Sequence, residues 1–245
     1  MTTRVLLLGG TVEARRLAGL LAQRPEAHAV TYSLAGVTSA PRLPAVAVRV
    51  GGFGGVDGLA RHLRENDVDV VVDATHPFAA RMSHHAAAAG AATGVPVVAL
   101  RRPGWTEQPG DDWHRVPTLA EAAHVAAALG RRIFLTTGRQ EVGEFCGLRD
   151  TFCLVRAVDP PDVLPPYAEL VLAKGPFTVA DELALIREHA LDVVVTKDSG
   201  GDATVAKLEA ARRLRLPVVM VDRPAVPDVP EVGTPEAALA WLDAR

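Results

Sequence analysis

The amino-acid sequence predicts an α/β fold made of two tandem Rossmann-like parallel-sheet domains with an interdomain cleft. The first reason is an internal repeat, because the apolar run that ends in glycine at residues 4–11 has a counterpart at 132–139. Further paired segments follow in the same order, and the spacing between partners falls steadily from 128 residues for this first pair to 116 residues for Thr118 and Thr234. Chance matches would scatter, so we infer a duplicated unit whose copies differ by short deletions. Two such domains facing each other make a cleft, where small molecules are usually bound.

Length and composition agree with this prediction. The 245 residues are enough for two units of roughly 120 residues, each able to bury a core of its own. The chain is 49% hydrophobic but only 4% aromatic, which suits valine-rich parallel strands covered by alanine-rich helices. We therefore predict a first domain at residues 1–130 and a second at 131–245.

Short apolar runs alternate with longer amphipathic runs in both halves, which predicts βαβ units. In the first half, strands are predicted at 5–8, 29–34, 45–50, 68–72 and 95–100, and helices at 12–23, 56–66 and 78–93. In the second half, strands are predicted at 132–136, 152–156, 169–173, 192–196 and 217–221, and helices at 178–190 and 202–214.

Each half is predicted to close with a helix, at 118–129 and 234–243. Thr118 and Thr234 precede these helices, and a threonine oxygen can accept from the N–H groups that the first turn leaves unpaired. The segment 101–117 is rich in proline and glycine and is predicted to be irregular. The closing helix of one half could pack on the other half.

Charge and hydropathy exclude several classes of protein. A net charge of −3 without a basic patch argues against nucleic-acid binding. No apolar run approaches the roughly 20 residues of a membrane span, and the N-terminus enters a strand without a signal peptide, so we expect a soluble cytoplasmic monomer or small homo-oligomer. Cys146 and Cys153 form no metal-ligand pattern, and no metal is expected.

A glycine turn between the first strand and the first helix is the strongest local signal. It contains Gly9, Gly10 and Thr11, with Glu13 in the first helical turn. Glycines allow the backbone to approach a ligand, and the unpaired N–H groups of a helix start can bind a diphosphate. The third glycine of the usual dinucleotide motif is missing, so a plain strand-to-helix turn would explain these residues as well.

The segment after the second strand favours NADPH over NADH. A site for NAD usually has an acidic residue about 20 positions beyond the glycines, where it binds the ribose hydroxyls. Here that stretch has no acid, and Ser33, Thr38 and Arg42 could instead hold a 2′-phosphate. The alternative is a polar loop with a solvated arginine.

Two further loops of the first half follow predicted strands. The segment 51–55 contains four glycines, so Gly52, Phe53 and Gly54 could let a flat ligand lie against the backbone, although a flexible connection would also explain them. The segment 73–78 reads Asp-Ala-Thr-His-Pro-Phe. It offers Asp73, Thr75 and His76 at the carboxyl end of a strand, where open α/β sheets bind ligands.

The corresponding loops of the second half each carry a cation. Arg139, Lys174 and Lys197 all follow predicted strands, as binding of a polycarboxylate would require. Taken singly, each cation could simply be solvated. Gly175, Asp198, Ser199 and Gly200 belong to the same loops.

These motifs, taken in order, resemble the precorrin-6A reductases of cobalamin biosynthesis, and the similarity runs from residue 4 to about 224. The most specific segments are Asp-Ala-Thr-His-Pro-Phe at 73–78 and Thr-Lys-Asp-Ser-Gly at 196–200. The resemblance implies an enzyme that uses NADPH to reduce one carbon–carbon double bond of precorrin-6A, a tetrapyrrole with several carboxylates, giving precorrin-6B. The sequence does not distinguish between this metal-free substrate and the cobalt-containing substrate of the anaerobic route.

The resemblance also implies roles for the candidate residues. NADPH would lie over the Gly9 turn with its nicotinamide toward Asp73 and His76. The macrocycle would lie against the second half, at Arg139, Lys174, Gly175, Lys197, Ser199 and Gly200. His76, Lys197 and Asp198 are candidate proton donors, and water is another. Other classes stay open, namely a non-catalytic two-domain protein that binds a small anion, or a different enzyme on the same fold.

Overall fold

The computed structural model describes residues 2–36 and 43–245, which form two compact α/β units. Unit 1 comprises Met1–Pro103 and Pro224–Arg245, and unit 2 comprises Gly104–Arg223. Each unit contains a six-stranded sheet in which every pairing is parallel. The predicted fold class of two parallel-sheet domains is confirmed.

The elements are numbered along the chain. The strands are β1 (Thr3–Leu8), β2 (His28–Leu34), β3 (Ala47–Val50), β4 (Val70–Asp73), β5 (Val97–Leu100), β6 (Trp113–Val116), β7 (Arg132–Leu135), β8 (Phe152–Ala157), β9 (Ala168–Leu172), β10 (Val193–Lys197), β11 (Val218–Val221) and β12 (Glu231–Val232). The helices are α1 (Val12–Ala22), α2 (Gly55–Glu65), α3 (Ala80–Thr93), α4 (Leu119–Leu129), α5 (Val179–Glu188), α6 (Ala206–Leu214) and α7 (Pro235–Asp243), with short 3-10 turns at Val142–Phe145 and Asp202–Thr204. In the part of the chain described, no helix is both long and apolar enough to cross a membrane.

The two sheets have the same strand order. In unit 1 the order is β12-β5-β4-β1-β2-β3, and in unit 2 it is β6-β11-β10-β7-β8-β9. Strands β1 to β5 therefore correspond to β7 to β11, as the internal repeat predicts. In each sheet the order reverses beside the first strand of the repeat, between β1 and β4 or between β7 and β10. Ligands of open α/β sheets bind at this point, beyond the carboxyl ends of the strands.

The last strand and helix of each repeat belong to the other unit, which corrects the boundary predicted after residue 130. Strand β6 lies beside β11, with Val116 opposite Val221, and α4 packs in the same unit. Strand β12 lies beside β5, with Val232 opposite Leu100, and α7 packs on α1. The prediction of an irregular segment at 101–117 is wrong for Trp113–Val116, because these residues complete the sheet of unit 2.

Alternation along β1 places its side chains in two hydrophobic layers. Val5 and Leu7 pack with α1 and α7, whereas Leu6 and Leu8 pack with α2 and α3. The predicted helix starts are confirmed, since the Thr118 hydroxyl accepts from the N–H of Glu121 and the Thr234 hydroxyl from that of Ala237, both at 3.1 Å. The rigid layers fix where each strand ends, and therefore where the loop residues lie.

Candidate active site

The glycine turn after β1 is shaped by Tyr32 at the end of β2. A Cβ built on Gly9 would overlap the ring of this tyrosine, so only glycine fits there. The neighbouring Gly10 has φ +123°, which is strained for any residue with a side chain. The Tyr32 hydroxyl accepts from the N–H of Gly10 at 3.1 Å, and burial raises the pKa of this phenol. Glycine is therefore required at position 9 by the nearby Tyr32 ring and favoured at position 10 by the positive φ angle.

Thr11 begins helix α1 and links it to the end of β4. Its hydroxyl accepts from the N–H of Ala14 at 3.0 Å and donates to the Ala74 carbonyl at 2.9 Å. Among the described residues, the N–H groups of Val12 and Glu13 have no acceptor. These two donors, at the positive end of a helix of 11 residues, can meet an anion.

The N–H groups of Gly9 and Gly10 are already used, because Gly9 donates to the Ser33 carbonyl at 2.8 Å and Gly10 to Tyr32. Neither predicted glycine is therefore a free donor for a diphosphate. Glu13, also predicted as a cofactor residue, pairs through its carboxylate with Arg102 at 2.7 Å. This pairing reduces the repulsion that the glutamate would exert on a bound anion.

The loop after β4 lies beside the glycine turn, since Asp73 is opposite Leu8 in the sheet. The Asp73 carboxylate is buried and accepts from the N–H and the hydroxyl of Thr75, at 3.2 and 2.7 Å. Its second oxygen lies 3.8 Å from the Arg101 guanidinium. The Asp73 side chain therefore fixes this loop through Thr75 and lies beside the Arg101 guanidinium.

His76 is half-buried in the same loop, and its Nδ1 lies 3.2 Å from the backbone N–H of Phe78. A backbone N–H can only donate, so Nδ1 accepts and the neutral ring carries its proton on Nε2. Nε2 is consequently the ring atom that can donate a hydrogen bond.

The ends of β2 and β3 hold another cluster. The Ser33 hydroxyl accepts from the guanidinium of Arg49 at 3.0 Å, and the same guanidinium stacks on Phe53 at 3.8 Å from the ring centroid. Ser33 and Phe53 were predicted, but Arg49 was missed. Its only sequence signal is an arginine near the end of an apolar strand. Thr38 and Arg42, predicted for the same role, lie outside the described residues.

Gly52 and Gly54 follow β3, and apart from their chain neighbours no atom in the described part of the chain lies within 4 Å of a Cβ built on either. The backbone here is open on one side. Gly54 has φ +83° and immediately precedes α2. The loop therefore offers bare backbone to a ligand beside the Arg49 cluster.

The predicted cations of unit 2 differ in their surroundings. The Lys197 ammonium lies 3.1 Å from the Glu141 carboxylate, so its charge is partly balanced. Arg139 is half-buried and Lys174 is exposed, and neither has an ion-pair partner in residues 2–36 and 43–245. Gly175 beside Lys174 fits closely, because a Cβ there would lie 2.7 Å from the Ala203 carbonyl. The partner Glu141 was not predicted.

Asp198 is held in a way that does not suit a proton donor. Its buried carboxylate accepts from the N–H of Trp105 at 2.9 Å and from the Arg115 guanidinium at 2.7 Å. The carboxylates of Asp198 and Asp222 in turn raise the pKa of Arg115. Ser199 and Gly200 follow, the latter with φ +65°, so this segment forms a tight loop beside the end of β10.

A buried charged cluster beneath these loops was also missed. Arg156 on β8 pairs with Glu182 on α5 at 2.8 Å, and the fully buried Lys207 on α6 lies near both. Burial, with a smaller contribution from Arg156, lowers the pKa of Lys207 to about 7. The Arg156 guanidinium lies 3.8 Å from the centroid of the Phe177 ring, so the cluster supports the 174–177 loop. Sequence patterns predict that charged side chains lie on the surface, so this buried cluster has no signal in the sequence.

Metal and thiol chemistry have little support in the described residues. No group of three or more histidine, cysteine or acidic side chains is arranged to hold a metal ion there. Cys146 and Cys153 are free thiols, and burial raises the pKa of Cys153 to about 12, so this thiol stays protonated.

Comparison with known proteins agrees with the resemblance noted in the sequence. A family model described as precorrin-6x reductase CbiJ/CobK matches residues 4–243. The precorrin-6A reductase of Rhodococcus erythropolis is 54% identical over 98% of this chain and 97% of that protein. The cobalt-precorrin-6A reductase of Priestia megaterium is 32% identical over 94% of this chain and 92% of that protein. A solved structure of CobK precorrin-6A reductase has a TM-score of 0.90 and 45% identity, and the match covers 99% of this chain and 97% of that one. The chain therefore belongs to the precorrin-6x reductase CbiJ/CobK family.

Proposed function

We propose that this chain is an NADPH-dependent precorrin-6A reductase that reduces one carbon–carbon double bond of the macrocycle and yields precorrin-6B. The observation that carries the proposal is the family match over residues 4–243, almost the whole chain. Membership of a reductase family argues against a non-catalytic binding protein and is consistent with a nicotinamide cofactor.

The carboxyl end of the unit 1 sheet fits a dinucleotide. The unpaired N–H groups of Val12 and Glu13 would bind the diphosphate, and Thr11 holds the helix start in position. Bare backbone at Gly52 and Gly54 leaves room for the cofactor beside β3. NADPH, when bound, supplies the hydride, and the protein's part is to bind and orient the reactants.

The reduction also needs a proton on the carbon next to the one that accepts hydride. We propose that this proton comes from water and that His76 positions the water, because its Nδ1 accepts from the Phe78 N–H and the Nε2–H of the neutral ring can donate a hydrogen bond. Asp73 and Asp198 are less suited, since both carboxylates are already bonded to donors. Asp73 is instead a positioning residue that fixes the loop through Thr75.

Unit 2 would bind the acetate and propionate groups of the substrate. Arg139 and Lys174 are the best candidates, because their charges are not balanced by a carboxylate in the described part of the chain. Lys197 would contribute together with Glu141, Gly175 fits closely against the Ala203 carbonyl, and Ser199 and Gly200 belong to the tight loop after β10. Charge-assisted bonds to several carboxylates would fix the orientation of the macrocycle.

The metal-free substrate is favoured over the cobalt-containing one by similarity. Identity is 54% with a precorrin-6A reductase and 32% with a cobalt-precorrin-6A reductase, at comparable coverage. The experiment is to incubate the purified chain with NADPH and either macrocycle, following NADPH oxidation and the mass of the product. We expect two hydrogens to be added to precorrin-6A, with slower turnover of the cobalt compound. NADPH that is not oxidised with either compound would refute the proposal.

A further inference from the structure

Arg49 at the end of β3 is a half-buried cation held by neutral groups. Its Nη1 donates to the Ser33 hydroxyl at 3.0 Å and to the Gly51 carbonyl at 2.9 Å, and its Nη2 donates to the Gly52 carbonyl at 3.2 Å. The guanidinium also stacks on the ring of Phe53. These contacts come from two strand ends and one loop, so the orientation of the guanidinium is fixed before any ligand arrives.

The positive charge of Arg49 has no carboxylate partner in the described part of the chain. The undescribed residues cannot supply one, because neither Met1 nor the segment 37–42 contains an acid. Two other arginines of unit 1 differ in this respect, since Arg101 pairs with Glu231 and Arg102 with Glu13. Burial lowers the pKa of Arg49, which is the expected sign for a cation kept partly from water without a counter-ion.

Arg49 lies beside the strand end that contacts the adenosine ribose in Rossmann-type dinucleotide sites. In Rossmann-type domains the residue at the end of the second strand contacts the ribose 2′ position. That strand end is occupied here by Ser33, whose hydroxyl already contacts Arg49. No Asp or Glu occurs between Glu26 and Asp57, so the carboxylate that selects NADH is missing. Three of the five guanidinium N–H groups are used by acceptors among the described residues, which leaves two for a further acceptor.

We propose that Arg49 is the specificity-determining residue that binds the 2′-phosphate of NADPH, and that Ser33 and Phe53 position it. A phosphate monoester would balance the partly buried charge, and the planar guanidinium matches two phosphate oxygens. This inference rests on the proposed use of a nicotinamide dinucleotide in unit 1. It differs from the sequence-based expectation, which placed this role on Ser33, Thr38 and Arg42.

The test measures binding by calorimetry without any macrocycle present. NADPH, NADH, adenosine 2′,5′-bisphosphate and adenosine 5′-monophosphate are titrated into wild type, Arg49→Met and Arg49→Lys. The control is Arg61→Met, which removes an equal charge from an exposed position on α2. We expect Arg49→Met to weaken NADPH and the bisphosphate about 30-fold or more, which is the loss expected for hydrogen bonds to a charged group. Arg49→Lys should lose part of that affinity, and NADH should bind all variants equally.

The outcomes separate this inference from the proposed function. Wild type that binds neither dinucleotide contradicts the proposed function itself. If wild type prefers NADPH and Arg49→Met keeps the same preference, the assignment of Arg49 is overturned. An equal loss of NADPH and NADH binding in Arg49→Met also overturns it, because the residue would then only support the fold. Retained NADH binding with lost NADPH binding is the supporting result.

Discussion

Replacing Glu182 by glutamine is the sharpest test of the buried cluster in unit 2. Glu182 is the carboxylate that pairs with Arg156, at 2.8 Å, and it also opposes the lowering of the Lys207 pKa. Glutamine keeps the shape and one acceptor but removes the negative charge. The variant therefore leaves two buried cations near each other with a weaker partner.

The expected cost follows from the burial of the pair. The side chains of Arg156 and Glu182 are 7% and 0% exposed, so solvent cannot replace the lost charge. Breaking a buried ion pair by removing one partner costs about 3–5 kcal/mol, and we expect a loss in this range for the free energy of unfolding. Adding Lys207→Met should restore part of it, since the second cation is then absent.

The assay is equilibrium unfolding of each variant in denaturant. The control is Glu188→Gln, which removes an exposed carboxylate from the last turn of the same helix and should change the unfolding free energy by less than about 0.5 kcal/mol. NADPH affinity should be unchanged in all of them, because the cluster lies wholly in unit 2. If Glu182→Gln lowers the free energy of unfolding no more than Glu188→Gln does, the three charged side chains of the cluster do not depend on one another and the prediction is refuted.

Four further predictions follow from the same structure. Gly9→Ala should lower the free energy of unfolding by about 1–3 kcal/mol and weaken NADPH binding, because the added Cβ overlaps the ring of Tyr32. A wild-type free energy of unfolding together with wild-type NADPH affinity would contradict the role of this turn. His76→Ala should lower turnover about 100-fold with little change in NADPH affinity, and an unchanged rate would exclude His76 from the proton transfer. Lys174→Met should raise KM for the macrocycle while NADPH binding stays constant, whereas Arg149→Met at another exposed site of unit 2 should leave both unchanged. Because Lys207 loses its proton near pH 7 in the folded chain but near pH 10.4 when unfolded, the unfolding free energy should rise above pH 7 by up to ~1.4 kcal/mol per pH unit, and Lys207→Met should remove this increment.

Local signals in the sequence predicted most of the strands and helices correctly. The capping threonines Thr118 and Thr234 and the strand-end loop of Asp73 and His76 depend on contacts close in the chain, and the structure has each of these contacts. The duplication correctly predicted two sheets with the same strand order.

Exchange of the last strand and helix could not be predicted from the repeat. Strand β6 and strand β12 occupy equivalent positions in the two copies, so each could complete either sheet with the same pattern of backbone bonds. The choice depends on how the connections at 101–112 and 222–230 run, and local patterns do not specify that path.

Ion pairs between residues far apart in the chain could not be predicted from the sequence either. Glu141 lies 56 residues from Lys197, and Arg115 lies 83 residues from Asp198, so neither pairing has a local signal. Arg49 was overlooked for a related reason. An arginine in an apolar strand is ordinarily taken as solvated, and only the contacts with Ser33 and Phe53 reveal a fixed guanidinium.

We propose that NADPH binds to unit 1 through the N–H groups at the start of α1 and the fixed guanidinium of Arg49. The most direct measurement is a crystal structure of the chain grown with NADPH. We predict the diphosphate within hydrogen-bond distance of the Val12 and Glu13 N–H groups, and the 2′-phosphate on the guanidinium of Arg49. A dinucleotide bound instead at the strand ends of unit 2, beside Arg139 and Lys174, would contradict the account.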